Sequence, residues 1–330
     1  MRRLIAAVAL TIASPAVADQ PDIRSIVENH IIPRYEALAS EAATLAETAA
    51  EDCTPSNPDL IAAYHDAFDA WVAVSHLRFG PSEVDNRAFA LAFWPDPRAS
   101  TPKTLAALIG DEDPVVERPE AFDSVSVAAR SFYALEYLLF DPQFVQSENA
   151  GYVCSLVRAT GEDISRNAAA ILSDWQAGYG KLMATQGNDT YRTSTEAAQQ
   201  LFTALSTGLE FTSQARLGRP MGSFDRPRPN RAEAWRSQRS LRHVILALTS
   251  TRELAGMLSG ENTALDDAFD EAIQRANSLG DPIFALVAEP QGRLRVEVLQ
   301  QSIDAIRRVL SEQVGPSLGI TAGFNSLDGD

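Results

Sequence analysis

Residues 57–81 read NPDLIAAYHDAFDAWVAVSHLRFGP, and this stretch shows how the chain is organised. Asn57 followed by Pro58 is typical of a helix start, because Asn caps free N–H groups and Pro fits the first helical turn. Large apolar side chains then recur every three or four residues, as on one face of an α-helix. Gly80-Pro81 ends the run. Similar runs recur along the 330 residues without convincing strand alternation, so the sequence predicts an all-α fold.

The spacing of helix starts and stops predicts two packed helical bundles. A faint repeat of the arginine-glycine-proline helix ending, at 78–81 and again at 216–220, favours an internal duplication. We expect a signal peptide over 1–18, a first bundle over 19–185 and a second over 186–330. The predicted helices cover 22–50, 57–77, 124–140, 147–183, 193–217, 231–258, 265–279 and 290–314.

The N-terminal residues predict export. Arg2 and Arg3 precede a short apolar run over 4–12, and Ala16-Val17-Ala18 is typical of a signal-peptidase site. The mature chain is therefore expected to begin at Asp19 and to function in a bacterial periplasm. No later apolar run reaches the roughly 18 residues that a membrane span needs.

Composition and motifs argue against several classes of protein. The formal net charge of −16 disfavours nucleic-acid binding, because an acidic protein repels phosphate backbones. The zinc-peptidase H-E-x-x-H, the G-x-S-x-G elbow, the Walker A loop and G-x-G-x-x-G are all absent from the sequence.

The two cysteines, Cys53 and Cys154, lie near predicted helix starts. An even pair in an oxidising compartment is typical of a disulfide, whereas a redox site would need a tighter C-x-x-C spacing. We therefore predict a structural Cys53–Cys154 bridge.

Residues 130–140, RSFYALEYLLF, place a carboxylate in an apolar helix. Tyr133 lies three residues before Glu136, so both side chains share a helix face. A buried carboxylate must find a partner. Arg130, Arg78 or Arg87 would neutralise it in a purely structural role. In a functional role, Glu136 would be a ligand or an acid–base group in a polar pocket.

Histidine is scarce, with four residues in the chain: His30, His65, His76 and His243. His65 and His76 lie three turns apart on one predicted helix, about 16 Å along its axis, so they cannot share one ion. His76 is the stronger candidate for a site, because it stands beside Arg78 where the helix opens into a long loop. In a structural role each histidine would be a core or interface residue, and the helix C-terminus would favour a protonated His76 or the Arg78 guanidinium.

These segments resemble the imelysin-like family, also called the M75 peptidase family. Its members are exported all-helical bacterial proteins, including iron-regulated proteins and the helical domain of an iron-uptake lipoprotein. The family hallmark is G-x-H-x-x-E followed by Y-L-L. Residues 131–139 read SFYALEYLL, so Glu136 matches the hallmark glutamate while Tyr133 replaces the histidine and Ser131 the glycine. The resemblance also rests on Trp71, residues 76–81, Arg87 and residues 93–95.

The resemblance implies a link to iron, and the altered hallmark bears on the chemistry. The hallmark histidine and glutamate are proposed metal ligands, and a neutral phenol is a poor replacement for imidazole, although tyrosinate binds ferric iron. We therefore predict an exported, non-catalytic binding protein for iron or metal acquisition, with no catalytic residue. The expected ligand is a metal ion, iron or another divalent metal, or a small anion. The candidate ligand and metal-binding residues are Glu136, Tyr133, His76, Arg78, Glu83, Asp85, Arg87 and Arg130, with Asp96 as a further carboxylate.

Two alternatives remain open. The first is an M75-type metallopeptidase that uses Glu136 with a second, non-standard ligand. The second is an interaction module for a periplasmic or membrane protein, because eight arginines fall within the 27 residues of Arg216–Arg242. Arg forks suit carboxylate partners. In a structural role the same arginines would form a solvated or salt-bridged face.

Overall fold

The structure is a computed structural model that describes residues 20–320. The predicted signal peptide lies outside the described residues. Within them the secondary structure is helical, and strand-like pairing is confined to an isolated bridge between Ser223 and Arg226. The all-α prediction is confirmed. None of the helices between residues 20 and 320 combines the length and the apolar character needed to cross a membrane.

Nine helices longer than five residues run through this described part of the chain. They are α1 (23–51), α2 (Pro58–Val74), α3 (Ser100–Asp111), α4 (Phe132–Phe140), α5 (150–185), α6 (194–221), α7 (Ser240–Ser259), α8 (Thr263–Ser278) and α9 (290–317). Four of them contain a single π-helical turn, located at Val27–Ile31 in α1, Trp175–Tyr179 in α5, Thr212–Leu217 in α6 and Leu310–Val314 in α9.

Local sequence accounts for most helix boundaries. Asn57 caps α2 by accepting a hydrogen bond from the Asp59 amide, and Thr193 caps α6 in the same way through Glu196. In α1 the π turn Val27–Ile31 comes directly before the turn that holds Pro33. Proline has no N–H to donate to the preceding turn, so a widened turn accommodates it without ending the helix.

The helices pack in two groups that meet along α2 and α7. In the first half α1 packs against both α2 and α5, and in the second half α7 packs against α6 and α8 while α9 packs against α8. Contacts between α2 and α7 join the two groups. Phe68 of α2 and Leu248 of α7 are fully buried, as apolar helix faces require. The division at residue 185 and the internal duplication stay predictions.

Two predicted helix starts, at 124 and at 231, are wrong. The Ser131 side chain accepts a hydrogen bond from the Ala134 amide and starts α4 at Phe132. Before α7, Ala234 and Gln238 have φ values of 47° and 60°, which a right-handed helix cannot contain. Residues 231–239, hereafter the 231–239 loop, therefore form an irregular segment ahead of Ser240.

The predicted disulfide is confirmed. Cys53 follows the end of α1, Cys154 lies in the second turn of α5, and the bridge closes a sequence separation of 101 residues. A long closed loop restricts the unfolded chain strongly, so the bridge stabilises the fold mainly by limiting the entropy of the unfolded state.

Replacing both Cys53 and Cys154 by Ser is expected to lower the free energy of unfolding by about 2–5 kcal/mol, because the loop constraint is lost. Denaturant unfolding with and without a reductant measures this. The reductant should destabilise the unaltered protein and leave the double variant unchanged. A loss of stability when the reductant is added to the double variant would contradict this account.

Candidate functional site

A cavity of about 260 Å³ opens where α2, α6 and α7 meet α4, and we call it the aromatic cavity. Its walls are mainly apolar, and four large aromatic side chains stand in them: Trp71, Phe89, Trp94 and Phe211. Polar side chains reach it from Tyr133, His76, Arg216 and Glu233. An apolar cavity with a few converging polar groups is the common form of a site for an organic ligand.

A buried carboxylate, Glu233, organises the polar side of this cavity. The Tyr133 hydroxyl donates to Glu233 Oε1 at 2.5 Å, and Arg216 Nε donates to Oε2 at 2.6 Å. His243 Nδ1 lies 3.2 Å from the same Oε2. Arg216 and Glu233 are only 3% and 1% exposed. The three partners come from α4, α6 and α7, so Glu233 ties the 231–239 loop to three helices.

The charge states within this group follow from its contacts. Burial would raise the pKa of Glu233, but the Arg216 and His243 side chains outweigh it and hold the pKa well below its usual range. Burial and the neighbouring Glu233 carboxylate raise the pKa of Tyr133 well above its usual value. Tyr133 is therefore a neutral phenol that donates its proton, and the tyrosinate form that would bind ferric iron is disfavoured.

Glu136 faces a different partner from Tyr133. Its Oε1 accepts hydrogen bonds from the amide and the hydroxyl of Ser237, both at 3.0 Å. Burial raises the pKa of Glu136, while the Ser237 bonds and the Arg236 guanidinium oppose that rise. The two altered-hallmark residues are thus both held by the 231–239 loop, one through Glu233 and the other through Ser237.

The arginines considered as partners of Glu136 pair elsewhere. Arg130 forms a two-pronged ion pair with the buried Asp163, at 2.9 Å for each bond. Arg78 pairs with Glu83 at 2.7 Å, and Arg87 pairs with Asp174 at 2.5 Å. None of the three neutralises Glu136, because each is satisfied by a carboxylate nearer to it.

His76 lies at the aromatic cavity in a pair with His30. The two Nε2 atoms are 3.2 Å apart, and His30 Nδ1 lies 3.4 Å from Glu253 Oε1. Burial, aided by Arg34, lowers the pKa of His30 to about 3, and burial with His30 lowers the pKa of His76 well below its usual value. Both imidazoles are therefore neutral at neutral pH.

The structure divides the sequence-predicted site residues among several places. Tyr133 and Glu136 stand on α4 and line one cavity, and His76 follows the end of α2 and lines another together with Tyr133. Glu83 and Asp85 are exposed in the loop after α2. Arg130 is buried beneath α5 with Asp163. Between residues 20 and 320, no three His, Cys, Asp or Glu side chains come together as a metal-ligand set.

Sequence reasoning missed Glu233 and Ser237, the two residues that hold the altered hallmark. A signal for Glu233 was present, since it is the only acidic residue between Asp225 and Glu253. It lies within Arg216–Arg242, hereafter the arginine segment. A lone carboxylate among so many arginines is well placed to be buried in an ion pair. Ser237 carries no comparable signal.

Four of the eight arginines in the arginine segment form ion pairs with carboxylates. Arg216 binds Glu233, Arg236 binds Asp141, and both Arg239 and Arg242 bind Asp69. The other four arginines form no ion pair with any residue that the structure describes: Arg219, Arg226, Arg228 and Arg231. Four of the eight arginines are therefore salt-bridged, as the structural reading of the segment allows.

Comparison with known proteins gives consistent results. The Imelysin (Peptidase M75) family model matches residues 31–310. Iron-regulated protein A of Synechococcus elongatus is 24% identical over 333 residues, which cover 91% of this chain and 87% of that protein.

Two solved structures share the fold. An imelysin-like protein from Psychrobacter arcticum is 18% identical, with a TM-score of 0.76 over 92% of this chain and 96% of that one. A putative iron-regulated protein A precursor from Parabacteroides distasonis is 14% identical, with a TM-score of 0.69 over 90% of this chain and 92% of that one.

Replacing Glu233 by Gln is expected to lower the free energy of unfolding by about 3–5 kcal/mol, because the buried Arg216 guanidinium loses its counter-charge. Glu83→Gln is the matched control. It breaks the exposed pair with Arg78 and should cost less than about 1 kcal/mol. Denaturant unfolding measures both variants, and equal losses would show that Glu233 does not stabilise the fold in this way.

Because His30 and His76 are neutral in the folded protein, we expect the free energy of unfolding to fall with falling pH already above the range where carboxylates titrate. The unfolded histidines take up protons near pH 6.5 while the folded ones do not, so the unfolded state binds more protons and stability falls as the pH falls. Each histidine contributes up to about 1.4 kcal/mol per pH unit below pH 6.5. For His30 the loss continues to its folded pKa of about 3.

Unfolding measured at steps between pH 6.5 and pH 5 tests this effect, since the lowered pKa of Glu233 acts only at lower pH. In His30→Gln the free energy of unfolding should fall less steeply with falling pH, by about the contribution of one histidine. An unchanged slope would mean that His30 is protonated in the folded protein.

Proposed function

The chain belongs to the imelysin family, and from this premise we propose that it is an exported binding protein of iron handling without peptidase activity. The observation that carries the proposal is the way the 231–239 loop holds the altered hallmark. Tyr133 donates its only proton to Glu233, and Glu136 accepts two bonds from Ser237. Because the Tyr133 phenol is committed to Glu233 and is a poor replacement for a histidine ligand, the ligand pair that a metallopeptidase of this type needs is incomplete.

The link to iron is supported by the relatives, two of which are named as iron-regulated proteins. The absence of a metal-ligand set between residues 20 and 320 argues against storage of a bare ion in the described part of the chain. We therefore propose that this protein serves iron handling by binding an organic molecule. Export to the periplasm is part of the proposal and is supported by the N-terminal sequence pattern.

The aromatic cavity is the proposed place of that molecule. Trp71, Trp94 and Phe211 offer flat apolar surfaces, and the buried His76 and Thr251 add hydrogen-bonding groups to the walls. Arg216 also lines the cavity, but its charge is balanced by Glu233. Such a lining favours a ligand with an apolar or aromatic body and few charges.

A second candidate function is the docking of an acidic protein partner through the arginine segment. The exposed Arg226 and the half-buried Arg228, both without an ion-pair partner among the described residues, favour it. This function would use the outer surface and leave the aromatic cavity unused.

The proposed function predicts no peptidase activity and no tightly held metal. The mature protein, loaded with ferrous iron, ferric iron or zinc and then desalted, should retain much less than one ion per chain. It should also leave an unfolded casein substrate intact with or without a chelator. Glu136→Ala and the control Glu83→Ala should behave like the unaltered protein in both assays.

Two outcomes would overturn the proposal. Chelator-sensitive cleavage that is lost in Glu136→Ala and kept in Glu83→Ala would establish a metallopeptidase. A stoichiometric ion lost only in Glu136→Ala would place a metal site at the altered hallmark.

A further inference from the structure

A second, smaller cavity of about 130 Å³ lies beside the aromatic cavity, and we call it the charged cavity. Trp94 and Tyr133 line both cavities and stack on each other with ring centres 6.1 Å apart. The charged cavity is lined by the segment around Asp96, by Glu136 of α4, by Arg219 of α6 and by the 231–239 loop. Both signs of charge are therefore present around a space the size of a small metabolite.

The cationic side consists of Arg219 and Arg231. Neither guanidinium donates a hydrogen bond to, or forms an ion pair with, any residue between 20 and 320. Arg219 lies over the Trp94 ring at 5.6 Å, and its Nε is buried without a partner. Arg236 also lines the cavity, but Asp141 already satisfies it at 2.7 Å. A buried donor without an acceptor costs free energy, so Arg219 is poised to receive an anionic group.

The anionic side consists mainly of Asp96. Its Oδ2 accepts a hydrogen bond from the Thr101 amide at 2.8 Å, while its Oδ1 is buried without a partner. The Thr101 hydroxyl is likewise buried and unpartnered within the described part of the chain. Burial alone would raise the pKa of Asp96, but the amides of Thr101 and Ser100 lower it, so this carboxylate is ionised.

The charges of Asp96 and Arg219 do not satisfy each other. They line one small cavity, yet no ion pair joins them or joins Asp96 to another described cation. A purely anionic ligand would leave Asp96 unsatisfied and would be repelled by it. A purely cationic ligand would have the same conflict with Arg219 and Arg231. A molecule that carries both charges satisfies both sides.

We propose that the charged cavity binds a small zwitterion of the α-amino-acid class. The ligand carboxylate lies against Arg219 and Arg231, whose planar forks suit a carboxylate. The ligand ammonium lies against Asp96 Oδ1, with the Thr101 hydroxyl as a further acceptor. This site is separate from the aromatic cavity, so the inference goes beyond the proposed function and does not depend on it.

Isothermal titration calorimetry on the metal-free mature protein tests the inference with free L-amino acids as probes, titrated one at a time. The tightest probe is then compared with its N-acetyl derivative, which lacks the ammonium, and with its amide, which lacks the carboxylate. Each derivative should bind about 10- to 100-fold more weakly, as expected when a charge-assisted hydrogen bond is lost.

Two variants assign each charge to its partner. Arg219→Gln should weaken binding of the amino acid by at least about 10-fold and should reduce the preference for the amino acid over its amide, with Arg231 retaining the rest. Asp96→Asn should likewise reduce the preference for the amino acid over its N-acetyl derivative, because the charged acceptor of the ammonium is lost. Arg226→Gln, an arginine of the same segment outside this cavity, should bind like the unaltered protein. Arg219→Lys keeps the charge and should retain part of the affinity, which guards against a folding defect in Arg219→Gln.

The proposal is overturned if no amino acid binds at millimolar concentration. It is also overturned if either blocked derivative binds as tightly as its parent, since the ligand would then need only one charge. These outcomes leave the peptidase and metal assays untouched, so failure of this site and failure of the proposed function are distinguishable.

Discussion

The buried ion pair between Glu233 and Arg216 is the interaction on which the arrangement of both cavities depends. A carboxylate that is 1% exposed remains charged only because Arg216, His243 and Tyr133 surround it. Those three residues stand on α6, α7 and α4, and the carboxylate itself stands on the 231–239 loop. The pair therefore fixes the loop against three helices at once. Without it, neither the wall of the aromatic cavity nor the position of Ser237 would be defined.

This constraint changes the meaning of the altered hallmark. An imidazole at position 133 would offer a lone pair, whereas the Tyr133 phenol offers a proton, and Glu233 is placed to accept it. A metal-ligating histidine can bind the ion through one ring nitrogen and donate the other N–H to a carboxylate, whereas the phenol has a single proton, which Glu233 accepts. The replacement is thus consistent with a site that holds its own side chains in place and receives an organic molecule beside them.

The two cavities differ in what they leave unsatisfied. In the aromatic cavity the charges of Arg216 and Glu233 cancel each other, so aromatic surface is what remains for a ligand. In the charged cavity Arg219 and Asp96 remain without ion-pair partners among the described residues. Trp94 and Tyr133 form a wall that the two cavities share.

Local sequence determined the helices, their caps and the family resemblance, because apolar periodicity and capping act within a few residues. It also determined the disulfide, since only two cysteines were available to pair. Apolar periodicity wrongly predicted helix over residues 231–239, where Ala234 and Gln238 adopt left-handed backbone conformations. Only the tertiary structure decided the partners of Tyr133 and Glu136, which lie 100 and 101 residues away along the chain. A buried polar side chain demands some partner, but its identity depends on how distant helices pack, which no local pattern encodes.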